Sequence, residues 1–430
     1  MIIALALILR LVILATNTPT PENTLTRLND PTDYDHLARM ILQGKYCAPG
    51  GEPTAFRPPV YPAFMAVVYL FAGKGNLLAV GIFQAILGGL NAFLALKLAR
   101  RMTGSRAASL LAGFLTAAYP AFVLQSAQIL TEVLFRTFYL SGLLFLVSGL
   151  EKNRGRYKAV AGLLLGLAIL TKSALLAAVP FLLIWLACVG AGSFRQSLLK
   201  SMVPFALSLF CVIGTWTARN VLISDTLIPV SSNFRITFAH GVTRFCYYAN
   251  AWYGEEPLME VPDHYQELTQ LRFYNGVKEE IATGRKYARK AVAYMGENPW
   301  FVLRLTLRKI LHFWSPLIRN TLLKRLLAIF SMGPVLLFGW IGILWGLKEG
   351  GRPRSYAVLA LVLALPVSIP YILSQPDIRY RLSVVDALWI ITASRILVVL
   401  FQRVQTSLPG ESIDPARSEA CDGSGRTGEA

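Results

Sequence analysis

Residues 162–180 read GLLLGLAILTKSALLAAVP, an apolar run with one lysine near its centre, and the way this run is threaded decides how the rest of the chain is read. Lys152, Arg154, Arg156 and Lys158 precede it, and Arg195 and Lys200 follow it. Short loops rich in Lys and Arg stay on the cytoplasmic side of a membrane. Residues 159–192 must therefore leave the cytoplasm and return, as two short helices with their turn near Thr171, Lys172 and Ser173. This threading sets Lys172 at an outer apex.

Working outward, a helix needs about 20 apolar residues to cross ~30 Å of hydrocarbon. Residues 76–98, 107–124, 133–150, 201–217, 322–347, 356–373 and 383–401 qualify as spans, and residues 2–16 form a shorter one. That first segment has no basic n-region and no cleavage site before Asn17, which favours an uncleaved span over a signal peptide. Arg100, Arg101 and Arg106 mark a further inside loop, as do Lys348, Arg352 and Arg354, whereas the connection 125–132 has no Lys or Arg and is outside. Residues 59–72 (PVYPAFMAVVYLFA) are apolar enough to span, but a span there would put the 100–106 loop outside, so they are expected to lie along the outer interface or to re-enter. The expected fold is all-α and polytopic, with about ten transmembrane helices over 1–401, both termini inside, and outer segments at 17–75 and 218–321. The Ser-, Gly- and Pro-rich tail, 402–430, is expected to be a disordered cytoplasmic extension. No short internal repeat is present.

Composition agrees with this threading. The 430 residues are 54% hydrophobic and 15% charged, against ~25% charged in soluble domains, which excludes an ordinary soluble enzyme. Lys and Arg number 42 against 24 acids, giving +18, so anionic partners such as membrane lipids and lipid phosphates are favoured. The hydrophobicity argues against nucleic acid. Five cysteines and four histidines are scattered without metal-ligand spacing, so neither a metal nor a cofactor is expected.

In the first outer segment, NDPTDYDHLARMILQGKY is followed by FRPPVYP. Leu37, Met40 and Ile41 share one face of a short amphipathic helix expected on the membrane surface. Asp30 fits as its N-cap with Pro31 at the first helical position. Equally, a carboxylate at the water–membrane boundary can take a proton from an acceptor hydroxyl. Asp33, Asp35 and His36 are read as solvated or supporting. Glu132 opens a span at the outer face, either as a helix N-terminal acid or as a second functional carboxylate. Arg10 lies inside the first apolar segment, where an ionisable group is costly: it snorkels to a head group or serves function. Lys172 either snorkels to lipid phosphate or holds an anionic ligand. Arg219 follows the seventh span, and residues 299–316 (PWFVLRLTLRKILHFWSP) read as a helix in the head-group region. In SQPDIRYRLS, Arg379 and Arg381 lie outside against the charge bias, as contacts to an anionic ligand or to lipid.

These pieces, DPTDYDHLA, RPPVYP, LTEVLF, GLAILTKSALLAAVP, TWTARN with IPVSSN, and RYRLS, occur in an order that resembles the GT-C superfamily of membrane glycosyltransferases. The likeness is to the protein O-mannosyltransferase (glycosyltransferase family 39) and aminoarabinose-transferase group, and runs to about residue 401. The resemblance implies a multi-pass plasma (inner) membrane enzyme. It would transfer a hexosyl or pentosyl unit, with inversion, from a polyprenyl-phosphate sugar to an unknown lipid, glycan or protein hydroxyl on the outer, periplasmic face. It implies that Asp30 acts as base or orients the acceptor, with Glu132 as a second catalytic acid. Lys172 would hold the donor phosphate, with Arg10, Arg219, Arg379 and Arg381 as further phosphate or interface contacts. A polytopic transporter or lipid flippase, or a scaffold that kept the fold and lost the chemistry, are the competing readings. They are separable by whether Asp30, Glu132 and Lys172 converge on one outward-facing cavity.

Overall fold

A computed structural model of the chain describes residues 1–25, 30–189, 194–242, 276–316, 322–374 and 377–407. Among these residues the regular structure is helical, apart from one isolated bridge between Cys47 and Pro53. Six helices are long and apolar enough to cross a membrane: Leu77–Thr103, Glu132–Glu151, Arg195–Ser224, Arg325–Glu349, Gly351–Leu373 and Ile378–Gln405. Shorter apolar helices cover Ile2–Thr16, Val60–Ala72, Arg106–Ala118 and Ser173–Val189.

In chain order the first elements are α1 (Ile2–Thr16), α2 (Pro21–Thr24), α3 (Asp30–Ile41), α4 (Val60–Ala72), α5 (Leu77–Thr103), α6 (Arg106–Ala118) and α7 (Pro120–Gln125). The stretch 107–124, expected as one span, is broken between α6 and α7 by Tyr119–Pro120. Proline cannot donate the amide that would continue α6, and Pro120 instead takes the first position of α7. Helix α3 packs against α4 through Tyr34 and Ala38, which join Tyr61, Met65 and Tyr69 in one buried cluster, so its apolar side is covered by protein rather than facing a membrane surface. Asp30 is the first residue of α3, not the residue before it. The 13 residues of α4 reach only about 20 Å, too short for a straight crossing.

Next come α8 (Glu132–Glu151) and α9 (Gly155–Thr171). At Lys172 the backbone turns extended (φ −149°, ψ 103°), and a 3₁₀ turn at Ser173–Ala178 leads into α10 (Val179–Val189). The expected break at Lys172 is therefore present. A short α11 (Phe194–Ser197) passes through a π-helical turn into α12 (Val203–Ser224). Helix α9 lies between α8 and α12. Gly162 and Gly166, one turn apart, permit the closest approach: a Cβ on Gly162 would sit 2.1 Å from the Phe205 carbonyl oxygen.

The remaining helices are α13 (Phe234–Val242), α14 (Val277–Glu297), α15 (Pro299–Trp314), α16 (Leu322–Glu349), α17 (Gly351–Leu373), α18 (Ile378–Arg381) and α19 (Ala387–Ser407). Helix α19 packs on α16 and α6 and runs six residues past the boundary expected at 401. Residues 408–430, the rest of the expected tail, lie outside the described residues. Large apolar side chains stay exposed along the long helices, among them Phe83, Ile86, Leu207, Phe210, Leu337 and Ile369, as surfaces that face lipid do.

Candidate functional site

At one end of the bundle, helix termini gather around a cavity of about 1270 Å³. Its wall includes the end of α1, the start of α3, the loop holding Arg57, the start of α8, the α9–α10 turn, residues 229–240, the end of α17 and the start of α18. Helix ends bring unpaired backbone groups and loop side chains together, which is why so many polar residues meet here.

Asp30, Glu132, Lys172 and Arg379 all line this cavity. Asp30 is clamped on both carboxylate oxygens: Arg57 Nη2 donates to Oδ1 at 2.7 Å and Arg379 Nη2 to Oδ2 at 2.7 Å. Arg57 also bonds Asp33 through Nε at 2.9 Å and Nη2 at 2.6 Å. Burial works against the Arg57 charge, but Asp30, Tyr34 and Asp33 outweigh it and hold its pKa well above the ordinary value. Lys172 Nζ donates to Glu132 Oε1 at 2.9 Å, and Glu132 is only 2% exposed. Beneath these charges, Tyr371 and Tyr380 stack at 4.4 Å with planes 9° apart, and Lys172 and Arg379 each lie 4.7 Å from the Tyr380 ring.

Three cations and two carboxylates thus face the cavity, and every one of them is paired. The supporting acids are engaged too: Asp35 accepts from Arg39 and Tyr69, and His36 Nε2 lies 3.1 Å from the Cys47 carbonyl oxygen. Arg57 and Tyr34 were not singled out in the sequence; RPPVYP contained the signal for Arg57, a cation beside two turn-forming prolines. Among the described residues no cluster of three or more His, Cys, Asp or Glu is placed to hold a metal ion.

Arg10, Arg219 and Arg381 are not among the cavity residues. Arg10 is fully buried and donates to the carbonyls of Ala6, Thr116 and Ala117, the last two at the end of α6, where Pro120 has removed an amide partner. Arg219 binds the carbonyls of Thr54 and Tyr46 and lies over Trp216. Arg381 pairs with Asp386 at 2.9 Å and binds the carbonyls of Phe313 and Ser315, closing the end of α15. In this structure all three are engaged with backbone carbonyls.

A sequence-family profile described as dolichyl-phosphate-mannose-protein mannosyltransferase matches residues 56–216. No curated protein matches the chain. Among solved structures, the oligosaccharyltransferase of Archaeoglobus fulgidus in its apo form superposes at a TM-score of 0.55 with 17% identity, over 94% of this chain and 51% of that one. The archaeal oligosaccharyltransferase AglB from Archaeoglobus fulgidus, in complex with an inhibitory peptide and a dolichol-phosphate, gives 0.54 and 16%, over 99% and 52%. ArnT from Cupriavidus metallidurans bound to undecaprenyl phosphate is 16% identical over 95% and 80%, at a TM-score of 0.40 that is too low to support a comparison of folds. The chain spans about half the length of the oligosaccharyltransferase it matches. In fold the chain is similar to the membrane oligosaccharyltransferase of Archaeoglobus fulgidus, and its residues 56–216 carry the sequence match to the mannosyltransferase family.

Proposed function

We propose that the protein is an integral membrane glycosyltransferase that moves a sugar from a polyprenyl-phosphate donor to a hydroxyl acceptor at the outer face of the membrane. The observation that carries this reading is the convergence of Asp30, Glu132, Lys172 and Arg379 on one cavity. Lys172 and Arg379 sit at adjacent points of the wall over Tyr380, as a clamp on a leaving phosphate requires.

In this reading the acceptor oxygen bonds to the anomeric carbon from the side opposite the phosphate, inverting it. The carbon–oxygen bond to phosphate breaks with its electron pair staying on the polyprenyl phosphate, beside Lys172 and Arg379. The acceptor proton passes to Asp30, whose oxygens face the cavity and each receive a guanidinium N–H. Glu132 holds Lys172 in place. A transporter site belongs near mid-membrane, whereas this cavity is built from helix ends.

The test is to incubate the purified protein in lipid nanodiscs with labelled polyprenyl-phosphate donors bearing neutral hexoses, a pentose, an amino sugar or a uronic acid, together with membrane extract. A labelled product is expected from at least one donor; no transfer from any of them overturns the reading.

A further inference from the structure

Part of the cavity wall next to Lys172 is built from uncharged polar side chains that have no role in the phosphate chemistry above. Three polar side chains meet there from two distant parts of the chain. Ser231 Oγ lies 3.0 Å from Asn233 Oδ1 and 3.4 Å from Ser173 Oγ, and all three residues line the cavity. Ser173 directly follows Lys172, so the turn that points the lysine at Glu132 also delivers a hydroxyl to this cluster.

Residues 228–233 form a non-helical strap that is tied down on every other side. Helix α12 holds its carbonyls: Asn220 Nδ2 to Ile228 at 3.1 Å, Thr217 Oγ1 to Pro229 at 2.8 Å and Trp216 Nε1 to Val230 at 2.8 Å. Ser232 faces away from the cavity, its amide on the Ala55 carbonyl at 2.9 Å and its hydroxyl on Glu280 Oε2 at 2.7 Å. Glu280 is 1% exposed and also accepts from the Thr54 hydroxyl and the Ala55 amide. With Ser232 fixed behind, Ser231 and Asn233 are held at the cavity before anything binds. Preorganised polar groups of this kind lower the entropy lost on binding.

We propose that Ser173, Ser231 and Asn233 form a subsite for the hydroxyls of an uncharged sugar, placed beside the phosphate clamp. This rests on the glycosyl-transfer reading and deepens it. Ser231 gives its single proton to Asn233 Oδ1 or to Ser173 Oγ, so the Asn233 amide protons are not consumed by the cluster's own bonds, and the serine hydroxyls can turn toward a ligand. Hydroxyl oxygens of a sugar accept such protons, and its hydroxyls can donate to the serine oxygens in return. The carboxylates described in the cavity wall are held by Arg57, Arg379 and Lys172, and an ammonium-bearing sugar would have to compete with those cations.

The test uses Ser231→Ala and Asn233→Ala in the full chain in nanodiscs. It measures KM for polyprenyl-phosphoryl mannose, glucose and galactose, and Kd for bare polyprenyl phosphate, which checks folding and the phosphate clamp separately. Each variant is expected to raise the KM of the active hexose donor on the order of tenfold, the loss of one or two hydrogen bonds, with Kd for bare polyprenyl phosphate unchanged. Turnover with unchanged KM in both variants overturns the subsite alone, as does wild-type turnover confined to an amino or acidic sugar. Equal loss of hexose-donor and bare-phosphate binding assigns the strap to general folding and overturns it as well. No turnover of any donor by the wild type overturns the subsite together with the reading it rests on.

Discussion

Asp30 carries a guanidinium on each oxygen, so Asp30→Asn keeps the shape while removing both the charge and the proposed proton acceptor. Transfer should fall by at least about 10²-fold while the protein still inserts and purifies in detergent; near-normal labelled product would remove Asp30 from the mechanism. Lys172→Ala has two consequences, because it also strands Glu132 in a buried place. Breaking a buried pair from one side costs roughly 3–5 kcal/mol, so the single variant should lose both donor affinity and thermal stability. Glu132→Gln combined with Lys172→Gln should regain most of the stability without the donor affinity. Recovery of both in the double variant would argue that Lys172 has no contact with donor. The sequence made these residues legible because charge at the edge of an apolar run is conspicuous. It could not show that Arg10, Arg219 and Arg381, equally conspicuous, stand apart from the cavity, because the carbonyls those arginines hold come from remote segments. Arg10→Met should accordingly lower stability by a few kcal/mol, through carbonyls left without partners at about 1–3 kcal/mol each, with donor KM unchanged; a raised KM would return Arg10 to the site.

At the scale of elements, the turn at Lys172 followed from the basic loops on either side, whereas the break at Tyr119–Pro120 went unread because the hydropathy on both sides is continuous. The pairing of TWTARN with IPVSSN is now physical: the first supplies the donors and the second the carbonyls that accept them. Glu280 fastens α14 to the same strap. Burial pushes its pKa up, with Thr54, Ser232 and the Ala55 amide opposing. A raised folded-state pKa means that the stability linked to this group is complete below the ordinary carboxylate range and is lost as pH rises through the folded value. The Tm of the wild type minus that of Glu280→Gln should therefore be most favourable at the acidic end and decline with rising pH. A difference that grows with pH would mean that the hydrogen bonds outweigh burial.

Over the whole molecule, the exposed apolar belt and the clustering of polar groups at one end were both foreseeable from hydropathy and loop charge, but the cavity was not, since its walls come from residues 15 to 380. Helix α15 shows Trp300, Leu303, Leu307 and Leu311 to the outside while Lys309 binds the carbonyls of Leu373 and Ser374. A spin label at Leu303→Cys, with the native cysteines replaced, should report shallow immersion among lipid head groups in relaxation measurements; deep burial or full water exposure would contradict an interfacial helix. The ion pair between Asp30 and Arg379 joins residues 349 apart in the chain, whereas Arg57 is only 27 from Asp30. At about 5–20 residues per second, a ribosome delivers Arg57 within roughly 1–5 s of Asp30 but Arg379 only after about 17–70 s. Until residue 379 is made, Arg57 is thus the available counter-ion for Asp30, and the cavity is closed by a segment that emerges long after its first wall residues.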